Sequence, residues 1–160
     1  MDVGGGFHPR LSQDLESKMI HNQPAHLNVL CFGMGAIGSY IGGSLAHAGC
    51  KVVFVERPEA LNSDRITNLR ITKPAVDILV EQVEISTDIE ASLSEKKFDV
   101  AILAVKSFDT KELVKSLQGI KSALPPILCL QNGVENEQLI EKQLGKGSVI
   151  GGTITSAVAR

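Results

Sequence analysis

Tryptophan is absent and aromatic residues make up only 4% of the chain, so any core must be built from aliphatic side chains. Excess basic charge is lacking too. The formal net charge is −2. Proteins that grip a phosphate backbone usually carry a clustered basic surface, so nucleic acid is not an expected partner. No apolar run nears the ~20 residues that a membrane helix needs. The longest, Val100 to Val105, suits a buried strand, and no membrane association is expected. Metal-ligand spacing is missing as well. There is no HExxH, and His8, His21 and His26 lie in a polar N-terminal stretch while His47 falls on a helix. No metal is expected. Cys31, Cys50 and Cys129 form neither a CxxC pair nor an even disulfide set. They read as reduced thiols, two of them inside apolar runs, of a cytoplasmic protein.

What is present is an ordinary soluble balance, 43% apolar and 21% charged, in 160 residues. That length fits one domain with a core able to fold without disulfides or metals. Residues 1–26 show no sustained period and open with Gly4, Gly5 and Gly6. They read as a flexible N-terminal tail, with Leu11 to Ile20 able to form a short helix. They lack the long apolar stretch of a secretory signal, and Asp2, Asp14 and Glu16 speak against a mitochondrial presequence.

Residues 27–160 carry the domain. Leu27 to Phe32 is a short apolar run ending in glycine, which predicts a buried strand. Ile37, Ile41, Leu45 and Ala48 recur at helical spacing, and Gly49 stops that helix. Lys51 to Val55 predicts a second buried strand, and Glu59 to Arg70 a short helix. Ile71 to Ile85, interrupted by Pro74, predicts one or two short strands. Ile89 to Lys97 reads as a helix and Phe98 to Val105 as a strand. Asp109-Thr110-Lys111-Glu112 has the form of a capping box, with Asp109 as N-cap of a helix through Leu113, Leu117 and Ile120. Pro126 to Leu130 is a strand, Val134 to Leu144 a helix, and Ser148 to Thr153 a last strand. Strands alternating with helices imply an α/β domain: a Rossmann-type, doubly wound, mostly parallel sheet with helices on both faces.

Chemistry concentrates at strand ends. Gly33-Met34-Gly35-Ala36-Ile37-Gly38 is a GxGxxG sequence between a predicted strand and a predicted helix. Gly33 allows the tight turn, Gly35 lets a pyrophosphate approach the backbone, and Gly38 lets the helix pack on the strand. Met34 covers either the ligand or the core. The end of the second strand is where a dinucleotide's ribose is read, and Glu56 and Arg57 both fall there. A carboxylate suits the 2′-hydroxyl of NAD, and a guanidinium suits the 2′-phosphate of NADP. Adjacent strand residues point to opposite faces, so one of the two is expected to face the ribose, with Arg57 preferred. Lys106 follows the strand run Ala101 to Val105, and Asn132 follows the strand run Ile127 to Leu130. Lys106 can offer a cation to ribose or substrate, or be a surface lysine. Asn132 can hydrogen-bond the nicotinamide ribose or an oxo acid, or cap the next helix with Glu135.

At these residues the chain resembles the ketopantoate reductase family, the 2-dehydropantoate 2-reductases. The similarity is carried by residues 33–39, Arg57, Val105-Lys106-Ser107, residues 130–137 from Leu130-Gln131-Asn132-Gly133, and residues 151–157. It implies NADPH-dependent reduction of 2-dehydropantoate to pantoate, in pantothenate biosynthesis. It places Gly33, Gly35, Ala36, Ile37 and Gly38 on the pyrophosphate and Arg57 on the 2′-phosphate of NADP(H). Lys106 and Asn132 fall near the nicotinamide and a small oxo-acid substrate, as the candidate catalytic residues. Family members continue into a helical domain holding the catalytic acid. The expectation is therefore that this chain binds cofactor and turns over little alone. The rivals are a non-catalytic NADP(H)-binding module and a related two-domain dehydrogenase acting on another hydroxy acid. A homodimer is left open.

Overall fold

The computed structural model describes residues 26–60, 68–72, 77–131 and 134–155. In chain order the elements are β1 (Asn28–Phe32), α1 (Ala36–His47), β2 (Lys51–Val55), a 3-10 turn (Pro58–Ala60), β3 (Asn68–Thr72), β4 (Asp77–Glu81) and β5 (Glu84–Ser86). Then follow α2 (Ile89–Glu95), β6 (Val100–Leu103), α3 (Ser107–Ser116) with a 3-10 extension (Leu117–Ile120), β7 (Ile127–Cys129), α4 (Val134–Leu144) and β8 (Val149–Gly151).

Six strands form one sheet in the order β5-β2-β1-β6-β7-β8, and every neighbour is parallel. The chain builds outward from β1 to β2 and β5. It then crosses back and places β6 on the other side of β1, with Val29 opposite both Val52 and Val100. This reversal opens a crevice beyond the carboxyl ends of β1 and β6, the usual ligand position in such sheets.

Strict alternation along the central strands feeds two cores. Leu30, Phe32, Val53, Val55, Ala101 and Leu103 face α3, its extension and α4, where they meet Val114, Leu117, Ile140 and Leu144. Val29, Cys31, Val52, Phe54 and Ile102 face the other way and meet Ile41 and Leu45 of α1. Unbroken apolar runs are what strands covered on both faces require. Each such side chain contributes about 1.5–3 kcal/mol of burial, which fixes the register of the sheet under the crevice. Helix α1 ends as Gly49 predicts. Gly49 adopts φ +95, its N–H donates to Ala46, and the Cys50 N–H donates to Leu45.

Two expectations change. Of the helix expected over 59–70, the described ends are a 3-10 turn at Pro58–Ala60 and strand from Asn68 onward. Residues 61–67 lie outside the described residues. β3 and β4 pair antiparallel as a hairpin separate from the main sheet. Packing decides this. Ile71 is buried between exposed Arg70 and Thr72, and a Cβ added to Gly43 of α1 would meet Leu69 Cδ2 at 2.5 Å and Ile71 Cδ1 at 2.7 Å. The second change is at α3, which starts at Ser107 with Lys106 as its N-cap, so Asp109 lies inside the first turn. Its carboxylate is drawn elsewhere, to Arg57. The tail assigned to residues 1–26 lies outside the described residues up to residue 25.

Candidate functional site

The glycine loop leaves β1 directly into the crevice. Gly33 takes φ +92, a left-handed backbone that glycine alone adopts cheaply, and its N–H donates to the Val55 carbonyl at 2.9 Å. Gly38 is fixed by space: a Cβ there would lie 2.0 Å from the Gly33 oxygen. Gly35, the N-cap of α1, is different. Its φ is −71, and an added Cβ would find no heavy atom nearer than the Ala104 oxygen at 4.0 Å. No side chain caps this helix start and its first turn holds no acid. The amides of Ala36 and Ile37 thus open α1 uncapped, with the positive end of the dipole unopposed within the helix.

Met34 turns inward, 3% exposed, and packs in the core beside Cys31 and Phe54. What it turns to the crevice is its backbone N–H, which donates to Glu56 Oε2 at 2.8 Å. Ser39 Oγ donates to the Met34 carbonyl and holds the loop from the helix side. Beneath the loop, the Cys31 thiol lies 3.6 Å from the Gly33 oxygen. Burial first, and then the charge of Glu56, push its pKa up to about 12, so it stays a neutral thiol.

The crevice is a cavity of about 570 Å³ running from Gly33 and Gly35 past Glu56 and Arg57 to Lys106. That size lies within the range of cofactor sites. Both candidate ribose readers line it. The alternation that would separate them stops with β2 at Val55. Glu56 points to the glycine loop, while the Arg57 guanidinium reaches across to Asp109 Oδ1 at 2.5 Å. Asp109's hydrogen bond, and then its charge, raise the Arg57 pKa further above its ordinary value.

Lys106 is exposed on the cavity wall with its ammonium 5.7 Å from the centroid of the Phe108 ring, a cation–π distance. Asn132 lies outside the described residues. Its neighbour Gln131 is described, and it has a structural role that the sequence reading did not assign. Gln131 Nε2 donates to the Val105 carbonyl at 2.6 Å, and its Oε1 accepts from the fully buried Thr110 hydroxyl at 3.0 Å. It thereby ties the end of β7 to the Lys106 loop and to α3. The signal available was weak: an amide between two strand-end candidates.

The empty room at position 35, the uncapped helix start and the cations on the wall suit a dinucleotide with two phosphates. Comparison with known proteins narrows this. Residues 29–160 match the ketopantoate reductase PanE/ApbA family. A 2-dehydropantoate 2-reductase of Pyrococcus abyssi is 32% identical over 130 residues, covering 81% of this chain and 40% of that protein. A PanE/ApbA family ketopantoate reductase of Ralstonia eutropha JMP134 superposes with a TM-score of 0.60 at 30% identity, over 79% of this chain and 40% of the other. D-mandelate dehydrogenase, solved with NADH and anilino(oxo)acetate, shares the fold at a TM-score of 0.63 and 21% identity, again over 79% and 40%. The chain spans about 40% of the length of these proteins. With its glycine loop at the switch point and its match running from β1 to the end of the sequence, the chain belongs to the ketopantoate reductase (PanE/ApbA) family.

Proposed function

We propose that this chain is the cofactor-binding part of a cytoplasmic enzyme that uses NADPH to reduce 2-dehydropantoate to pantoate. The observation that carries the reading is the room kept at position 35. Among the described residues beyond its chain neighbours, the nearest atom to a Cβ built there is the Ala104 oxygen at 4.0 Å, and the uncapped start of α1 opens onto that space. Backbone amides and the helix dipole favour a diphosphate at that place.

Each wall residue has a part. Arg57 offers a planar guanidinium to a 2′-phosphate, which suits NADPH. Lys106 is the one lysine on the wall among the described residues, and it holds protons at Nζ beside the expected oxo-acid position. An ammonium there stabilises charge developing on a reduced carbonyl oxygen. Asn132, next in sequence to the anchored Gln131, supplies an amide to orient the substrate. The bound nicotinamide supplies the hydride.

Lys106 is exposed with no group fixing its ammonium beyond the Phe108 ring among the described residues, a poor sole proton donor, and full carbonyl reduction needs a placed acid. The 160 residues therefore bind NADP(H) and turn over little without the remainder of the family's length. Calorimetric titration with NADPH and NADH tests the site. NADPH binding tighter than NADH is expected, and no heat with either nucleotide would remove the reading. Ketopantoate-dependent oxidation of NADPH by this chain alone, at the ~1–10³ s⁻¹ usual for enzymes, would remove the inactivity clause.

A further inference from the structure

The acceptor already holding Arg57 bears on cofactor choice. Asp109 lies in the first turn of α3, where a carboxylate would ordinarily settle on its own helix's amides. It instead reaches the Arg57 guanidinium at 2.5 Å across the cavity wall. Asp109 is the better buried of the two, its side chain 20% exposed against 57% for Arg57. Glu112, one turn further along α3, and Glu56 also line this cavity and add negative charge around the same guanidinium. One cation thus faces three carboxylates.

We propose that Asp109 is a specificity-determining residue that holds back the site's preference for a 2′-phosphorylated dinucleotide by occupying Arg57. The proposal rests on the reading of this cavity as a dinucleotide site. A 2′-phosphate must take guanidinium donors from Asp109 and then sit beside that carboxylate as a like charge. A 2′-hydroxyl meets neither cost, because it can leave the pair intact and donate to a carboxylate oxygen. Asp109 therefore weakens NADPH binding selectively, and the two cofactors bind with more similar affinities than a free arginine would allow.

The test is titration of NADPH and NADH into the chain and four variants at fixed, low salt. Asp109→Asn keeps shape and removes charge. It is expected to tighten NADPH by about fivefold, the upper range for an exposed ion pair, while NADH changes by less than about twofold. Asp109→Glu keeps the charge and is expected to keep the wild-type ratio. In Arg57→Ala, adding Asp109→Asn is expected to shift the NADPH-to-NADH ratio by clearly less than it does in the wild type, because only the like-charge repulsion is then relieved. NADH affinity serves as the folding control throughout. If Asp109→Asn leaves the ratio unchanged while the wild type binds both nucleotides, this role for Asp109 is overturned and the site stands. If the ratio shifts equally without Arg57, Asp109 acts without the arginine, and the proposal is likewise overturned. If neither nucleotide binds the wild type, the dinucleotide reading itself fails.

Discussion

Gly35 and Gly38 look equivalent in the sequence, and the structure predicts opposite consequences for replacing them with alanine. In Gly38→Ala the new Cβ lies 2.0 Å from the Gly33 oxygen and 3.0 Å from its carbon. Favourable contact needs roughly 3.5 Å, so helix and loop must separate by more than ~1 Å. The obstacle is backbone, which cannot swing aside as a side chain can. Overpacking of this kind costs about 1–3 kcal/mol, and the shift also strains the 2.9 Å Gly33–Val55 hydrogen bond. A loss of about 3 kcal/mol follows, which lowers the urea midpoint by ~1 M or more. In Gly35→Ala the backbone is ordinary, φ −71, and the methyl enters open space. The entropy gain of ~0.4–1 kcal/mol from a stiffer unfolded chain roughly offsets the poorer N-cap, so stability moves by under ~0.5 kcal/mol. Its methyl stands where a phosphate must approach. Losing one charge-assisted hydrogen bond there costs about 1.5–3 kcal/mol, or ten- to hundredfold in NADPH affinity. Urea denaturation followed by circular dichroism, paired with calorimetric titration, reads both quantities. Wild-type NADPH affinity in Gly35→Ala, or a stability loss there as large as in Gly38→Ala, would refute the separation of the two roles.

Arg57→Ala is expected to weaken NADPH more than NADH, by about 1.5 kcal/mol, the low end for a charged hydrogen bond because Asp109 already holds the guanidinium; equal losses for both would remove Arg57 from the 2′-phosphate. Gln131→Ala strips the partner from the buried Thr110 hydroxyl and from the Val105 carbonyl. It should cost about 1–3 kcal/mol and lower the thermal midpoint by several degrees, and an unchanged melting curve would show the tie to be idle. The Cys31 thiol supplies a pH dependence. Its folded pKa, about 12, lies above the unfolded value of 9.0, so between those values the unfolded state releases a proton that the folded state keeps. Stability from this group is whole below pH ~9 and falls by up to ~1.4 kcal/mol per pH unit above it. Urea midpoints at pH 8.5 and 10 should drop more steeply for the wild type than for Cys31→Ala, and parallel slopes would contradict the assignment.

The frame was legible because its signals are local. Runs such as Leu30–Phe32 and Val52–Val55 have no polar side to present, which marks strands buried on both faces, and Gly49 marks the end of α1 by a backbone that few other residues adopt. What escaped was decided by distant partners. Asp109 and Glu112 satisfy a capping pattern, yet Arg57 at the end of β2 offers Asp109 a full charge in place of a helix amide, and α3 starts three residues earlier. The segment expected as helix over 59–70 has its residues 61–67 outside the described ones; where description resumes, Leu69 and Ile71 pack on the face of α1 that Gly43 leaves bare. Gln131 lay inside the stretch that carries the family resemblance, but its tie was not legible there, since its two partners come from the chain just after β6 and from α3.

The glycine motif is weaker testimony for a ligand than its three glycines suggest. Gly33 is required by its own left-handed turn and Gly38 by the Gly33 oxygen, so both would be needed in a domain that binds nothing. Only Gly35 has no internal reason. The charges around it divide in the same way. Glu56 on the Met34 amide and Asp109 on Arg57 are satisfied within the chain. The start of α1 has no capping side chain, and among the described residues Lys106 has the exposed Phe108 ring beside it and no ion-pair partner. A function for the crevice must therefore be argued from what the protein itself leaves unmatched: room at position 35, a helix dipole without a cap, and an ammonium on the wall. An elongated anion with a diphosphate at its middle and a reactive ring toward Lys106 matches all three at once, whereas a neutral ligand would leave the helix start unanswered.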